Sequence, residues 1–165
     1  MTLALTTAQH LIRHKLSLAT AESCTGGLLA NTLTNIPGAS SFFHTGFITY
    51  ANESKTRQLG VAPEIIRRYG AVSTQVALAM AQGARKQAQT SLAIALTGIA
   101  GPGGATPKKP VGLVFIALVS CERNLVQRCL FEGTRLQIKK QAVQTALTML
   151  SQTRIREEIP TRKKF

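Results

Sequence analysis

Aspartate is absent from this chain of 165 residues, so glutamate supplies all seven of its carboxylate side chains. A Ser-His-Asp or Cys-Asp-Lys constellation is therefore excluded, and so is a metal site built on aspartates. Tryptophan is also absent, and aromatic residues make up only 5% of the chain. Few side chains are thus available for stacking on nucleic-acid bases, and we see no nucleic-acid recognition motif.

The cysteines are few and odd in number, with no CxxC spacing among Cys24, Cys121 and Cys129. This usage is typical of reduced thiols in a cytosolic protein and argues against a disulfide framework or a zinc site. The longest apolar run, residues 111–119, is too short to span a bilayer, and residues 1–15 lack the pattern of a signal peptide. We expect a cytoplasmic protein with no membrane partner, no metal and no cofactor.

Positive charge dominates the composition, with a net charge of +13. A balance this basic attracts anions, including nucleic acid and phosphorylated metabolites. The densest cluster is the basic C-terminal tail, about residues 152–165, which we interpret as a solvated, frayed terminus and not as a nucleic-acid arm. The length suits one domain with a sizeable core, so we expect a single domain over residues 1–165.

Helical patterns and apolar runs alternate along the chain, which predicts a three-layer α/β/α sandwich. The predicted strands lie at residues 16–21, 42–50, 92–96, 111–120 and 125–131. The last two form an antiparallel hairpin, so the sheet should be mixed and mostly parallel. Thr134 and Gln137 have the spacing of a capping box, which predicts the start of the last helix.

Three turns of unusual composition follow predicted strands, at residues 21–27 (AESCTGG), 97–104 (TGIAGPGG) and 132–135 (EGTR). If their strands are neighbours, the turns meet at one edge of the sheet, where open α/β sheets bind ligands. Glycine-rich turns and helix starts supply backbone N–H groups for a phosphate or an oxyanion. Arg135 would add a fixed cation.

The choice of nucleophile stays open from the residues alone. The candidates are hydroxyl or thiol side chains in these turns: Ser23, Cys24, Thr25 and Thr97. Cys24 is the best intrinsic nucleophile among them. A plainer interpretation of the first turn is helix capping, with Ser23 or Thr25 as the N-cap.

The choice of base is narrow, because aspartate is absent and His44 lies in an apolar-flanked strand. A lysine whose pKa is lowered by burial can serve instead. Lys55 stands out because it follows Tyr50 among small polar residues, and Tyr50 would relay or steady the proton. The alternative interpretation of Lys55 is an ordinary surface lysine.

Six segments resemble the motifs of the CinA C-terminal domain family (the competence/damage-inducible CinA-like proteins), in the family's order and through most of the chain. They are AESCTGG (21–27), GFITYANESK (46–55), GAVS (70–73), TGIAGPGG (97–104), KPVG (109–112) and FEGTR (131–135). Characterised members of that family are nicotinamide-nucleotide amidases. The resemblance implies hydrolysis of nicotinamide mononucleotide to nicotinate mononucleotide and ammonia in pyridine nucleotide salvage, without a metal.

The resemblance also implies roles for individual residues. Ser23 would be the nucleophile and Lys55 the general base, with Tyr50 beside it, whereas Cys24 would have no chemical role. The implied substrate-binding residues are Thr25, Gly26, Gly27, Thr97, Gly98, Gly101 and Arg135. Among these, the backbone of Thr25–Gly27 would help to hold developing charge.

The expected partners are a small nucleotide substrate with a phosphate group and further copies of this chain, but not nucleic acid. The alternative is a catalytically inactive nucleotide-binding relative, or a basic protein associated with nucleic acid. Two positions depart from the family's usual loop GPGGGTPEKPVG: Ala105 replaces a glycine and Lys108 an acidic residue. Ala105 would tighten the loop if its φ were positive, and Lys108 would add positive charge near a bound phosphate.

Overall fold

In the computed structural model, which describes residues 2–153, a five-stranded sheet is covered by helices on both faces. In chain order the elements are α1 (Leu3–Arg13), β1 (Leu18–Glu22), α2 (Leu28–Thr34), a short 3₁₀ helix (Ala39–Ser41), β2 (Phe43–Ile48), α3 (Asn52–Leu59), α4 (Pro63–Tyr69), α5 (Thr74–Ala88), β3 (Leu92–Gly98), β4 (Leu113–Val119), β5 (Asn124–Leu130) and α6 (Arg135–Ser151). None of the helices described is both long and apolar enough to cross a membrane. Of the basic tail predicted at about residues 152–165, the part from residue 154 onward lies outside the described residues.

The strand order of the sheet is β2-β1-β3-β4-β5. Strand β1 is parallel to both of its neighbours, whereas β4 is antiparallel to β3 and β5. Four strands therefore point the same way and one is reversed, which confirms the mixed sheet. Glu22 at the end of β1 pairs with Leu96 near the end of β3. The turns that follow these two strands therefore begin at the same edge of the sheet.

Strand β3 shows how the core is divided between the two faces of the sheet. Leu92, Ile94 and Leu96 belong to the cluster with α1, α2 and α6. Ala93 and Ala95 belong to the other cluster, with α3, α4 and α5. The inner face of α5 is also rich in alanine, so small residues on both sides allow this helix to pack closely on the sheet. The three-layer arrangement is confirmed.

Helix starts follow the sequence signals in part. The capping box of Thr134 and Gln137 at the start of α6 is confirmed. The start of α2 differs, since Gly27 occupies the N-cap position and makes no side-chain cap. The alternative interpretation of this turn, with Ser23 or Thr25 as the N-cap, is therefore wrong. The side chain of Glu22 does so instead, because its carboxylate accepts backbone N–H groups at the start of the helix.

Helix α3 is held against α5 by a close backbone contact at Gly83. A Cβ atom at this position would overlap the carbonyl oxygen of Leu59, the last residue of α3. Leu59 itself is buried. Only glycine therefore allows α3 to dock this closely, and the docking fixes the helix that carries Lys55.

We expect Gly83→Ala to lower the free energy of unfolding by about 1–3 kcal/mol, because the added methyl group overpacks the contact with Leu59. This direction is opposite to intrinsic helix propensity, which favours alanine by about 1 kcal/mol. Urea denaturation measures the change. Gln82→Ala, at an exposed position of the same helix, is the matched control and should lie within about 0.5 kcal/mol of the wild type. A stability gain at Gly83 would contradict the close docking.

Candidate active site

A cavity of about 250 Å³ opens at the carboxyl edge of β1 and β3. The predicted site residues that line it are Ser23, Tyr50, Lys55, Thr97, Gly98, Gly101 and Arg135. A larger cavity of about 410 Å³ lies at the opposite end of the sheet, beside Leu92 and Met149. The described residues that line this second cavity include no cysteine, histidine, lysine or carboxylate. The smaller cavity is therefore the one that holds the candidate nucleophiles and the candidate base.

Ser23 and Lys55 meet at the bottom of this cavity. The Nζ atom of Lys55 lies 3.1 Å from Ser23 Oγ, and the lysine side chain is only 1% exposed. The same Nζ lies 2.8 Å from the carbonyl oxygen of Thr49 and 3.2 Å from that of Tyr50. A neutral amine has two N–H donors and one lone pair. If the two carbonyl groups accept the N–H groups, the lone pair faces the serine hydroxyl, as a general base requires.

Burial lowers the pKa of Lys55 below its ordinary value of 10.5. The negative charges of Cys24, when ionised, and of Glu53 act in the opposite direction but are smaller causes. Taking an ammonium group out of water favours its neutral form. The fraction of Lys55 that can accept a proton is therefore larger than that of a surface lysine.

Cys24 lines the same cavity, but its chemistry is unfavourable. Burial raises the pKa of its thiol to about 11, and the charge of Glu22 acts in the same direction. The thiolate is the nucleophilic form of cysteine, and little of it exists near neutral pH at this pKa. No hydrogen bond joins Cys24 to Lys55 among the described residues, so the geometry favours Ser23, the choice that the residues alone left open.

Glu22 organises the turn that carries Ser23, a role that the sequence analysis missed. The carboxylate is fully buried and accepts backbone N–H groups from Gly27 and Leu29, both at 3.1 Å, and from Ala30 at 2.8 Å. These are amides that a helix start leaves unpaired, and a negative charge there also suits the helix dipole. An acidic residue ahead of the helix was the available signal. Because Glu22 lies well before Leu28, the first residue of α2, the sequence spacing did not indicate that it caps the helix.

The turn residues Thr25, Gly26 and Gly27 do not line the cavity. The Gly26 N–H donates to the carbonyl of Ser23, and the Gly27 N–H is bound by Glu22. Both glycines have positive φ, so their immediate role is the shape of the turn. The backbone N–H groups of Cys24 and Thr25, by contrast, donate to no other residue in the range 2–153.

Arg135 and Tyr50 form a bridge beside the cavity. One guanidinium nitrogen of Arg135 donates to the Gly101 carbonyl at 2.7 Å, and the other donates to the Tyr50 hydroxyl at 2.8 Å. The Tyr50 hydroxyl thus contacts Arg135, and it is the Tyr50 carbonyl that contacts Lys55. Thr97 donates its hydroxyl to the carbonyl of Ala71 at 2.8 Å, which fixes its side chain in the cavity wall.

Some cavity residues had no predicted role. Asn52 begins α3, and Val72 lies in the loop before α5. Both lie within the segments that carry the family resemblance, which was the available signal.

Ala105 has no positive φ, so the glycine replacement leaves this loop unstrained, and Lys108 is exposed. Within residues 2–153, no three histidine, cysteine or glutamate side chains lie close enough together to hold a metal.

These features define a three-layer α/β protein with a buried serine–lysine pair at the carboxyl edge of its central strands. The sequence model of the CinA C-terminal domain matches residues 1–154, and the chain belongs to that family.

Named relatives and solved structures agree with this assignment. The CinA-like protein of Syntrophobacter fumaroxidans is 50% identical over 133 residues, which cover 81% of this chain and 31% of that protein. A relative in Moorella thermoacetica is 50% identical over 149 residues, 90% of this chain and 36% of its own. The chain thus spans about a third of the length of these relatives.

Two crystal structures show the same fold. The competence/damage inducible protein CihA from Agrobacterium tumefaciens superposes with a TM-score of 0.88 and 43% identity, over 90% of this chain and 91% of that one. A CinA superfamily protein from Escherichia coli has a TM-score of 0.86 and 37% identity, over 90% and 88% of the two chains.

The lowered pKa of Lys55 predicts a pH-dependent contribution to stability. Between the folded pKa and the ordinary value of 10.5, the unfolded chain binds more protons at this lysine than the folded one. The free energy of unfolding therefore rises with pH across this window, and the contribution is constant outside it. Lys55→Met should remove this slope, so the stability of the wild type minus that of the variant increases with pH. Urea unfolding at several pH values measures it.

The matched control for this measurement is Lys86→Met, at an exposed position of α5. Its stability curve should run parallel to that of the wild type over the same pH range. Parallel curves for Lys55→Met as well would mean that Lys55 is protonated alike in both states, which would remove the argument for a neutral base.

Glu22→Gln should lower the free energy of unfolding by about 1–3 kcal/mol, because one acceptor oxygen becomes an NH₂ group that faces buried backbone donors. Chemical denaturation measures the loss. Glu53→Gln, at an exposed position, is the control and should change stability by no more than about 0.5 kcal/mol. Equal small effects at both positions would show that the three hydrogen bonds of Glu22 contribute little.

Proposed function

We propose that this protein hydrolyses the carboxamide of nicotinamide mononucleotide, producing nicotinate mononucleotide and ammonia for pyridine nucleotide salvage. The observation that carries the proposal is the 3.1 Å contact between Lys55 Nζ and Ser23 Oγ inside a cavity. The substrate is suggested by the resemblance of the site motifs to those of nicotinamide-nucleotide amidases.

The serine–lysine pair would work in two stages. In the first, Lys55 takes the hydroxyl proton as Ser23 Oγ bonds to the carboxamide carbon. The C–N bond then breaks, and Lys55 returns the proton to the leaving nitrogen, which departs as ammonia. In the second, water attacks the acyl ester while Lys55 takes one of its protons and passes it to Ser23 Oγ. The products are the free acid and the restored serine.

Charge that develops on the carboxamide oxygen needs hydrogen-bond donors. The backbone N–H of Cys24 is the best placed, because it is adjacent to Ser23 and donates to no other described residue. Thr97 is a weaker candidate because its hydroxyl already donates to Ala71. The cysteine at position 24 would thus contribute through its backbone, with no role for its thiol.

The rest of the cavity suits an aromatic amide that ends in an anion. Val72 and Ile99 offer apolar surface to a pyridine ring, and Arg135 offers a guanidinium group to a phosphate. The net charge of +13 would favour the approach of a phosphorylated substrate.

An ammonia-release assay with nicotinamide mononucleotide and a metal chelator tests the proposal. We expect the wild type to release ammonia, and Ser23→Ala and Lys55→Met each to lower kcat/KM by about a thousandfold or more. Methionine is chosen because it fills the buried volume of Lys55 without a base. Cys24→Ala should keep activity within about threefold, since its thiol takes no part in the reaction.

Thermal unfolding of each variant shows whether it is folded under the assay conditions. An inactive Cys24→Ala with an active Ser23→Ala would overturn the mechanism. Binding of the nucleotide by the wild type without release of ammonia would instead identify a catalytically inactive nucleotide-binding relative.

A further inference from the structure

Lys139 lies beside the turn that carries Ser23, although no sequence motif pointed to it. Its Nζ atom is 3.7 Å from the position that a Cβ would take on Gly26. The positive charges of Lys139 and Arg135 both lower the pKa of the Cys24 thiol, against the larger effect of burial. Both cations are therefore within electrostatic reach of the nucleophile's turn.

Lys139 has no anionic partner in the described structure. It is half-buried, yet it forms no salt bridge and donates no hydrogen bond to any residue in the range 2–153. The nearby carboxylate, Glu22, already accepts three backbone N–H groups. A partly desolvated ammonium group is stabilised when an anion accepts its hydrogen bonds and balances its charge, and here that anion would have to come from outside the chain.

Arg135 and Lys139 are four residues apart on α6 and so project from the same face of the helix. Arg135 lines the cavity, and Gly26 places no side chain between Lys139 and the turn. Arg135 is also the first residue of α6, where the helix dipole favours a negative charge. A phosphate group has enough oxygen atoms to contact both cations at once.

The other lysines near the site are less suitable. Lys109 donates to the carbonyl of Tyr69 at 2.6 Å, and Lys108 is exposed. Lys140 lines a separate surface depression with Glu132 and Gln141, so it lies around the helix from Lys139.

We propose that Lys139 is a specificity-determining residue, which together with Arg135 binds the phosphate monoester of the substrate at the mouth of the cavity. It would thereby select a phosphorylated nucleotide over the corresponding nucleoside. This inference rests on the amidase function proposed above, and it names the group that holds the end of the substrate remote from Ser23.

The test compares ammonia release from nicotinamide mononucleotide and from nicotinamide riboside, which lacks the phosphate. We expect Lys139→Met to lower kcat/KM for the mononucleotide by about tenfold, mainly through KM, and to change the riboside by less than about twofold. Lys139→Arg should restore most of the loss, because it keeps the positive charge. Lys140→Met, the same change at the next residue, should affect neither substrate.

An equal loss with both substrates, or no loss with the mononucleotide, would overturn the role of Lys139. Calorimetric binding of nicotinamide mononucleotide to Ser23→Ala, with and without Lys139→Met, gives a readout that needs no turnover. We expect the second substitution to weaken binding about tenfold. If the wild type releases no ammonia but this difference in binding is observed, the amidase function fails while the phosphate site stands. Undiminished binding would contradict the site itself.

Discussion

The buried amine of Lys55, 3.1 Å from Ser23 Oγ, is the interaction on which the rest of the site depends. In the proposed reaction Lys55 would act as the base, and burial favours this role because it lowers the pKa of an amine that would be protonated in water. That burial requires α3 to dock closely on α5, which the absence of a side chain at Gly83 allows. It also requires β2 to end beside β1, so that the carbonyls of Thr49 and Tyr50 can accept the N–H groups.

A buried carboxylate on the other side of the serine has a complementary role. Glu22 binds the backbone at the start of α2, and this fixes the turn in which Ser23 stands. The backbone N–H groups of Gly26 and Gly27 donate within the turn, whereas those of Cys24 and Thr25 donate to no other residue among the described residues 2–153. Glu22 therefore fixes the turn from the side of α2, and the backbone donors next to Ser23 are not used by other residues in the described range. Arg135 and Lys139 of α6 add two positive charges beside the same turn.

Much of the fold was predictable because its signals are local. The apolar runs of β3 and β4 and the capping box at Thr134 depend on neighbours along the chain, and the three-layer sandwich follows from their order. Most of the predicted site residues do line one cavity, because parallel strands deliver their turns to a common edge. The alternative interpretation of the first turn, a cap by Ser23 or Thr25, was wrong because the cap of α2 depends on the direction of the Glu22 side chain, which no spacing rule describes.

The sequence by itself determined which chemical groups were available: no aspartate, a serine and a cysteine side by side, one well-placed lysine, and the glycines that shape the turns. Only the tertiary structure decided how they are used. It buried Lys55 against Ser23 and raised the pKa of the Cys24 thiol. It also brought the Tyr50 hydroxyl into a hydrogen bond with Arg135 and placed Lys139 beside Gly26. The physical reason is that burial and side-chain contacts are properties of elements far apart in the chain. They exist only after the sheet has assembled.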